Sequence, residues 1–88
     1  MAAKTPSAVV TENLGSNTLY KVSFTDIDIG DTYESKILSA TSYWCNGTDT
    51  AATTKEGIDV GYSQTTGVFT FSSGENNRTG DLYILAKA

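Results

Sequence analysis

The run Asp81-Leu82-Tyr83-Ile84-Leu85-Ala86 constrains the chain most, because it is apolar on both faces of an extended strand. Successive side chains of a strand point to opposite sides. Leu82, Ile84 and Ala86 therefore share one face, and Tyr83 and Leu85 share the other. Such a strand does not belong at the edge of a one-sided sheet. The pattern predicts a central strand, covered above and below or bridging two packed layers. The chain around it has 88 residues, 39% of them hydrophobic, which suffices for one domain with a thin core.

Two other stretches alternate well. Over residues 18–25, Tyr20, Val22 and Phe24 face one side and Leu19, Lys21 and Ser23 the other. Over residues 37–45, Leu38, Ala40, Ser42 and Trp44 oppose Ile37, Ser39, Thr41, Tyr43 and Cys45. Trp44 is the expected core anchor of that strand, its indole among the largest apolar surfaces the chain can bury. A short first strand is expected at Ala8-Val9-Val10-Thr11, followed by a turn at Gly15-Ser16-Asn17, and a brief extended piece at Thr32-Tyr33-Glu34-Ser35. Ile58, Val60 and Tyr62 alternate inward before Gln64-Thr65-Thr66-Gly67, which reads as a hairpin connection with Gly67 at positive φ. Phe69 and Phe71 follow on one face and are expected to meet Tyr20, Phe24 or Trp44. Asn46-Gly47 is a turn signal, and residues 48–57 and 74–80 read as long polar loops. Residues 1–6 read as a flexible arm ahead of a sandwich domain over residues 7–88. About six to seven short strands with two long connections predict an all-β fold, a small single-domain sandwich of jelly-roll or Greek-key type.

Composition excludes several function classes. The chain has no histidine and one cysteine, Cys45. That rules out an intrachain disulfide, a zinc or iron site built from several N and S ligands, and histidine-based acid–base chemistry. The six basic residues are dispersed and the net charge is −4, which argues against nucleic acid as a partner. No stretch approaches the ~20 apolar residues of a membrane span. The first residues lack the apolar run of a secretory signal, so synthesis in the cytoplasm is expected.

The remaining candidates each have a plainer explanation. Asp26, Asp28 and Asp31, with Gly30 among them, are candidate calcium ligands, since a hard cation takes six to eight oxygens. The flanking helices and distal Glu of an EF-hand are missing, and a polar β-turn accounts for the same residues. Carboxylates among Asp26, Asp28, Asp31, Glu34 and Asp59 could supply a glycosidase pair, but so short a chain seldom builds the cleft. No general base accompanies any Ser or Thr, so no enzyme activity is expected. Among the aromatics, Tyr33 and Tyr43 are the ones expected to be exposed and able to stack on a sugar, while Trp44 and Tyr83 are expected in the core. Asn46-Gly47-Thr48 and Asn77-Arg78-Thr79 match the glycosylation sequon by chance composition, and Cys45 reads as a small apolar filler.

The chain resembles the small β-rich virion proteins of tailed bacteriophages, of the head decoration or cement type. The resemblance is carried by Phe24-Thr25-Asp26-Ile27-Asp28-Ile29-Gly30-Asp31-Thr32-Tyr33, by Ser42-Tyr43-Trp44-Cys45-Asn46-Gly47-Thr48-Asp49, by Gly67-Val68-Phe69-Thr70-Phe71 and by Leu82-Tyr83-Ile84-Leu85. It implies a non-enzymatic protein without cofactor, on the outer capsid surface of a virion. Its partners would be the major capsid protein and neighbouring copies of itself, with trimers at local symmetry axes common in the class. The contacts it implies come from the arm (Ala2, Ala3, Lys4, Thr5, Pro6) and from the two long loops (Thr50, Thr53, Lys55, Asn76, Asn77, Arg78). A small tail, fibre or head–tail component is the alternative within the virion. A carbohydrate- or calcium-binding β-sandwich module is the alternative outside it.

Overall fold

A computed structural model describes residues 3–48, 58–72 and 76–87. Among these residues there are seven strands and no helix: β1 (Ala8–Asn13), β2 (Asn17–Ile27), β3 (Thr32–Glu34), β4 (Ala40–Gly47), β5 (Asp59–Ser63), β6 (Val68–Ser72) and β7 (Arg78–Lys87). They form two antiparallel sheets, ordered β1-β2-β7-β4 and β3-β6-β5. The fold is a small β-sandwich, and it is not a meander, because β7 returns to lie between β2 and β4.

Local chemistry sets the tight turns. Gly15 has φ 81 and Leu14 N–H donates to Asn17 O at 2.8 Å, closing a two-residue hairpin between β1 and β2. Positive φ at the first central residue alone is the type II′ pattern, which suits the twist of the flanking strands. Gly67, with φ 74, ends the β5–β6 turn, where its N–H donates to Ser63 O at 2.7 Å.

The core lies between the sheets. Val22, Phe24 and Ile27 of β2, Leu82 and Ile84 of β7, Phe69 and Phe71 of β6, and Ile58 are all buried. The aromatic rings meet edge to face: Phe24 lies 5.0 Å from Tyr33 and 5.2 Å from Phe71, centroid to centroid. Tyr62 stacks on Phe69 at 4.6 Å, and its hydroxyl donates to Ile37 O. Phe69 and Phe71 thus meet Phe24, Tyr43 and Tyr62, not Trp44.

Two register shifts decide which side chains face inward. Between Phe24 and Ile27 the β2–β7 register slips, with Asp26 at φ 57, and Ile27 returns to the core side. In β4 the slip lies between Ala40, opposite Ala86, and Ser42, opposite Leu85. One inserted residue exchanges the faces of everything beyond it. Tyr43 and Cys45 consequently turn inward, and Trp44, expected in the core, is 47% exposed on the outer side. The same strand begins only at Ala40, leaving Leu38 exposed, and Asn46-Gly47 belong to the strand and make no turn.

β7 is central, as its sequence requires, and its Leu82, Ile84 and Ala86 face is buried. Its other face corrects the expectation of cover on both sides. Tyr83 and Leu85 are half-buried, sheltered by neighbours in their own sheet, and no second layer among the described residues lies over them.

The two sheets are tied at both margins. Cys45 bridges to Ile58 on one side. On the other, Ala3 pairs in parallel with Thr32, Lys4 N–H donates to Thr32 O at 2.7 Å, and Lys4 Nζ donates to Asp26 O at 2.9 Å.

Candidate functional site

The acidic loop is a closed hydrogen-bond system. Asp31 Oδ2 accepts from Asp28 N at 2.8 Å, and Asp28 Oδ1 accepts from Asn77 N at 3.0 Å. Ile29 N–H donates to Asn76 Oδ1 at 3.0 Å. Two of the three carboxylates expected for calcium thus stabilise backbone N–H groups of a turn. Among the described residues no group of three or more acidic or sulfur ligands forms. Asp31 (2% exposed) and Arg78 (3%) are both buried. Arg78 is therefore inside, not the surface contact residue that its loop position suggested.

The other expected contact residues divide three ways. Asn76 and Asn77 are exposed, yet both are tied to the acidic loop. Ala3 and Lys4 lie along β3, and Thr5 is exposed beside half-buried Pro6. Ala2, Thr50, Thr53 and Lys55 lie outside the described residues.

Of the two tyrosines expected to be exposed, Tyr43 is exposed (37%) and Tyr33 is not, while Trp44, expected in the core, is exposed. Tyr33 is half-buried against Phe24, and burial raises its hydroxyl pKa above the usual 10.0. Tyr43 packs on Phe69 at 5.5 Å and Tyr62 at 5.3 Å, although it keeps an exposed side. Trp44 stands outside with Tyr83, their ring planes 13° apart and centroids 5.2 Å apart.

That stacked pair belongs to a continuous surface. On the outer face of the larger sheet the registers align Val10, Lys21, Tyr83 and Trp44 in one row across β1, β2, β7 and β4. The next row runs Glu12, Leu19, Leu85 and Ser42, and the row on the other side runs Ala8, Ser23, Asp81 and Asn46. Leu19, Leu85, Tyr83 and Trp44 are apolar neighbours on this face, and Lys21 Nζ lies 3.9 Å from Asp81 Oδ2 on the two central strands. Beside Trp44 a shallow, open depression of about 240 Å³ is lined by Tyr43, Trp44, Cys45, Ile58, Asp59 and Val60.

No family model, curated protein or solved structure matches this chain.

The sequence contained one signal for the outer face, which is the second apolar side of β7. That signal predicts cover on both sides, but the seven strands among the described residues make only two layers, and none of them lies over that side.

Cys45 turns toward the core between β4 and Ile58, and its pKa is raised to about 11, first by burial and then by the Asp81 carboxylate. A raised thiol pKa means the folded state holds the proton more tightly than the unfolded chain. The linked stability is present below the ordinary value of 9.0 and is lost as pH rises toward 11. Urea midpoints measured from pH 8 to 11 should fall with pH, and Cys45→Ala should flatten part of that fall. The raised Tyr33 hydroxyl accounts for another part. An unchanged slope in Cys45→Ala would contradict the assignment.

Proposed function

We propose that the protein is a non-enzymatic structural component of a virion, a decoration protein that docks on a capsid lattice and stabilises it. The observation that carries the docking part is the outer face of the larger sheet, where Trp44, Tyr83, Leu85 and Leu19 are neighbours beside polar Lys21, Asp81 and Ser42. Aromatic residues are enriched as anchors at protein–protein contacts. The virion part rests on the sequence resemblance. A sheet face suits a repeated lattice, because many weak contacts on a closed shell combine through avidity. Binding to the assembled shell alone stabilises it by mass action.

The direct experiment is the copy number of the chain in purified particles, by quantitative mass spectrometry against the major shell protein. A fixed ratio set by lattice symmetry supports decoration. A few copies per particle moves the protein to a tail or head–tail position. Absence from particles rejects both. Trp44→Ala and Tyr83→Ala should each weaken particle binding by at least ~30-fold, the effect of losing a contact anchor of about 2 kcal/mol. Removing the exposed Trp44 should lower stability by less than ~1 kcal/mol. Normal binding by both variants would remove this face from the docking role.

The exposed Trp44 also favours a second reading, a carbohydrate-binding module. Tyr83 already occupies one face of the indole, leaving the other for a sugar. A glycan array blank for the intact protein would discard that reading.

A further inference from the structure

The free edge of β1 points to a second copy of this chain. Among the described residues β1 pairs with β2 on one side only, and all six of its residues, Ala8–Asn13, are exposed, with Val9 and Val10 each 51% exposed on opposite faces. Edge strands are normally protected by proline, lysine, bulges or a covering segment. β1 contains none of the first two, and its register with β2 runs without a shift from Ala8 to Asn13. Its only charge is Glu12.

The hairpin fixes which backbone groups are free. Leu14 N–H donates to Asn17 O, so Leu14 faces β2 with its backbone, and so do Glu12, Val10 and Ala8 by alternation. Val9, Thr11 and Asn13 direct their N–H and C=O groups to the open edge. In an antiparallel pair about a two-fold axis perpendicular to the sheet, each face stays continuous, so residues of like parity must oppose.

We propose that two copies join β1 to β1 in this way, with Thr11 opposite Thr11 on the axis and Val9 opposite Asn13. This register uses all three free backbone positions of both strands. It places Glu12 of one copy opposite Val10 of the other, in the row that continues to Lys21. Carboxylate and ammonium then flank Val10 on the outer face, so the register matches opposite charges across the junction. The product is a continuous eight-stranded sheet whose outer face carries two Trp44–Tyr83 pairs. The pairing stands on the edge itself and does not depend on the virion reading.

Thr11→Pro is the decisive variant. Its lost N–H points to the open edge, so the β1–β2 ladder keeps its hydrogen bonds while the dimer loses its central pair. Sedimentation equilibrium should show a monomer–dimer equilibrium for the native chain and a monomer for Thr11→Pro, with the same far-ultraviolet circular dichroism. In a Cys45→Ser background, Thr11→Cys should crosslink on mild oxidation, because opposed Cα atoms lie about 5.5 Å apart. Glu12→Cys should not, since its two copies lie beyond the ~7 Å limit for a disulfide. A native chain that stays monomeric with no Thr11→Cys crosslink overturns the proposal. So does an oligomer that Thr11→Pro leaves intact. A native monomer in which Thr11→Pro abolishes particle binding also overturns it, and assigns the edge to a strand from another protein.

Discussion

Phe24→Ala should destabilise the fold by about 3–5 kcal/mol, the usual range for removing a buried phenylalanine. Phe24 is fully buried, and its ring is held edge-on by Tyr33 from β3 and Phe71 from β6. It is therefore one of the side chains that join the larger sheet to the smaller one, together with Tyr43, which meets Phe69 and Tyr62. A domain of this size has a total stability of roughly 5–10 kcal/mol, so the variant should lose a large fraction of it. The measurement is urea unfolding followed by tryptophan fluorescence, with the midpoint falling and the slope unchanged. A loss below ~1 kcal/mol would mean that the two sheets are not packed through this ring.

Gly67→Ala should have a comparable effect for a different reason. Gly67 sits at φ 74, and a Cβ there would lie 2.9 Å from Lys36 Cα and 3.0 Å from Ile37 N. Those are backbone atoms, with no flexible side chain to move aside. Ser35 is bound to the same place, its N–H and Oγ both donating to Gly67 O at 3.0 and 2.6 Å. The left-handed conformation alone costs about 1–2 kcal/mol, and displacing the 35–37 segment adds to it. The expected fall in Tm is ~10–20 °C, at the 4–8 °C per kcal/mol typical of a domain this size. Gly15→Ala is the matched control. Its φ is 81, but a Cβ there meets nothing within 4 Å, so only the conformational strain remains. Equal losses in the two variants would show that strain, not close approach, governs Gly67.

Alternation locates the inward face where the ladder keeps its register. Tyr20, Val22 and Phe24 lie on the face that alternation predicts because β2 pairs with β7 without a shift from Asn17 to Phe24. The β5–β6 hairpin was legible because Gly67 marks its turn chemically. Trp44 lies on the face opposite to the predicted one because the bulge after Ala40 leaves no such mark, and a period of two cannot survive one unpaired residue. Local sequence also could not show that Arg78 is buried. That depends on Ile27, its partner across the sheet, and on the acidic loop beside it, both remote in the chain. The outer face was visible in Tyr83 and Leu85, but whether a layer covered it depended on how many strands the chain could spend.

The position of β7 also governs how the molecule is made. A ribosome delivers β2 and β4 long before Arg78–Lys87, yet both need that segment as their shared neighbour. Until it emerges, the nascent chain displays two unmatched strand borders and half of a hydrophobic interior. Vectorial synthesis therefore gives this fold little head start, and assembly waits on encounters between segments such as Val22 and Leu82. Such non-local closure places its timescale with millisecond-to-second β proteins and outside the microsecond range of helical bundles. During that interval the emerging polypeptide is most exposed to aggregation and most dependent on chaperones.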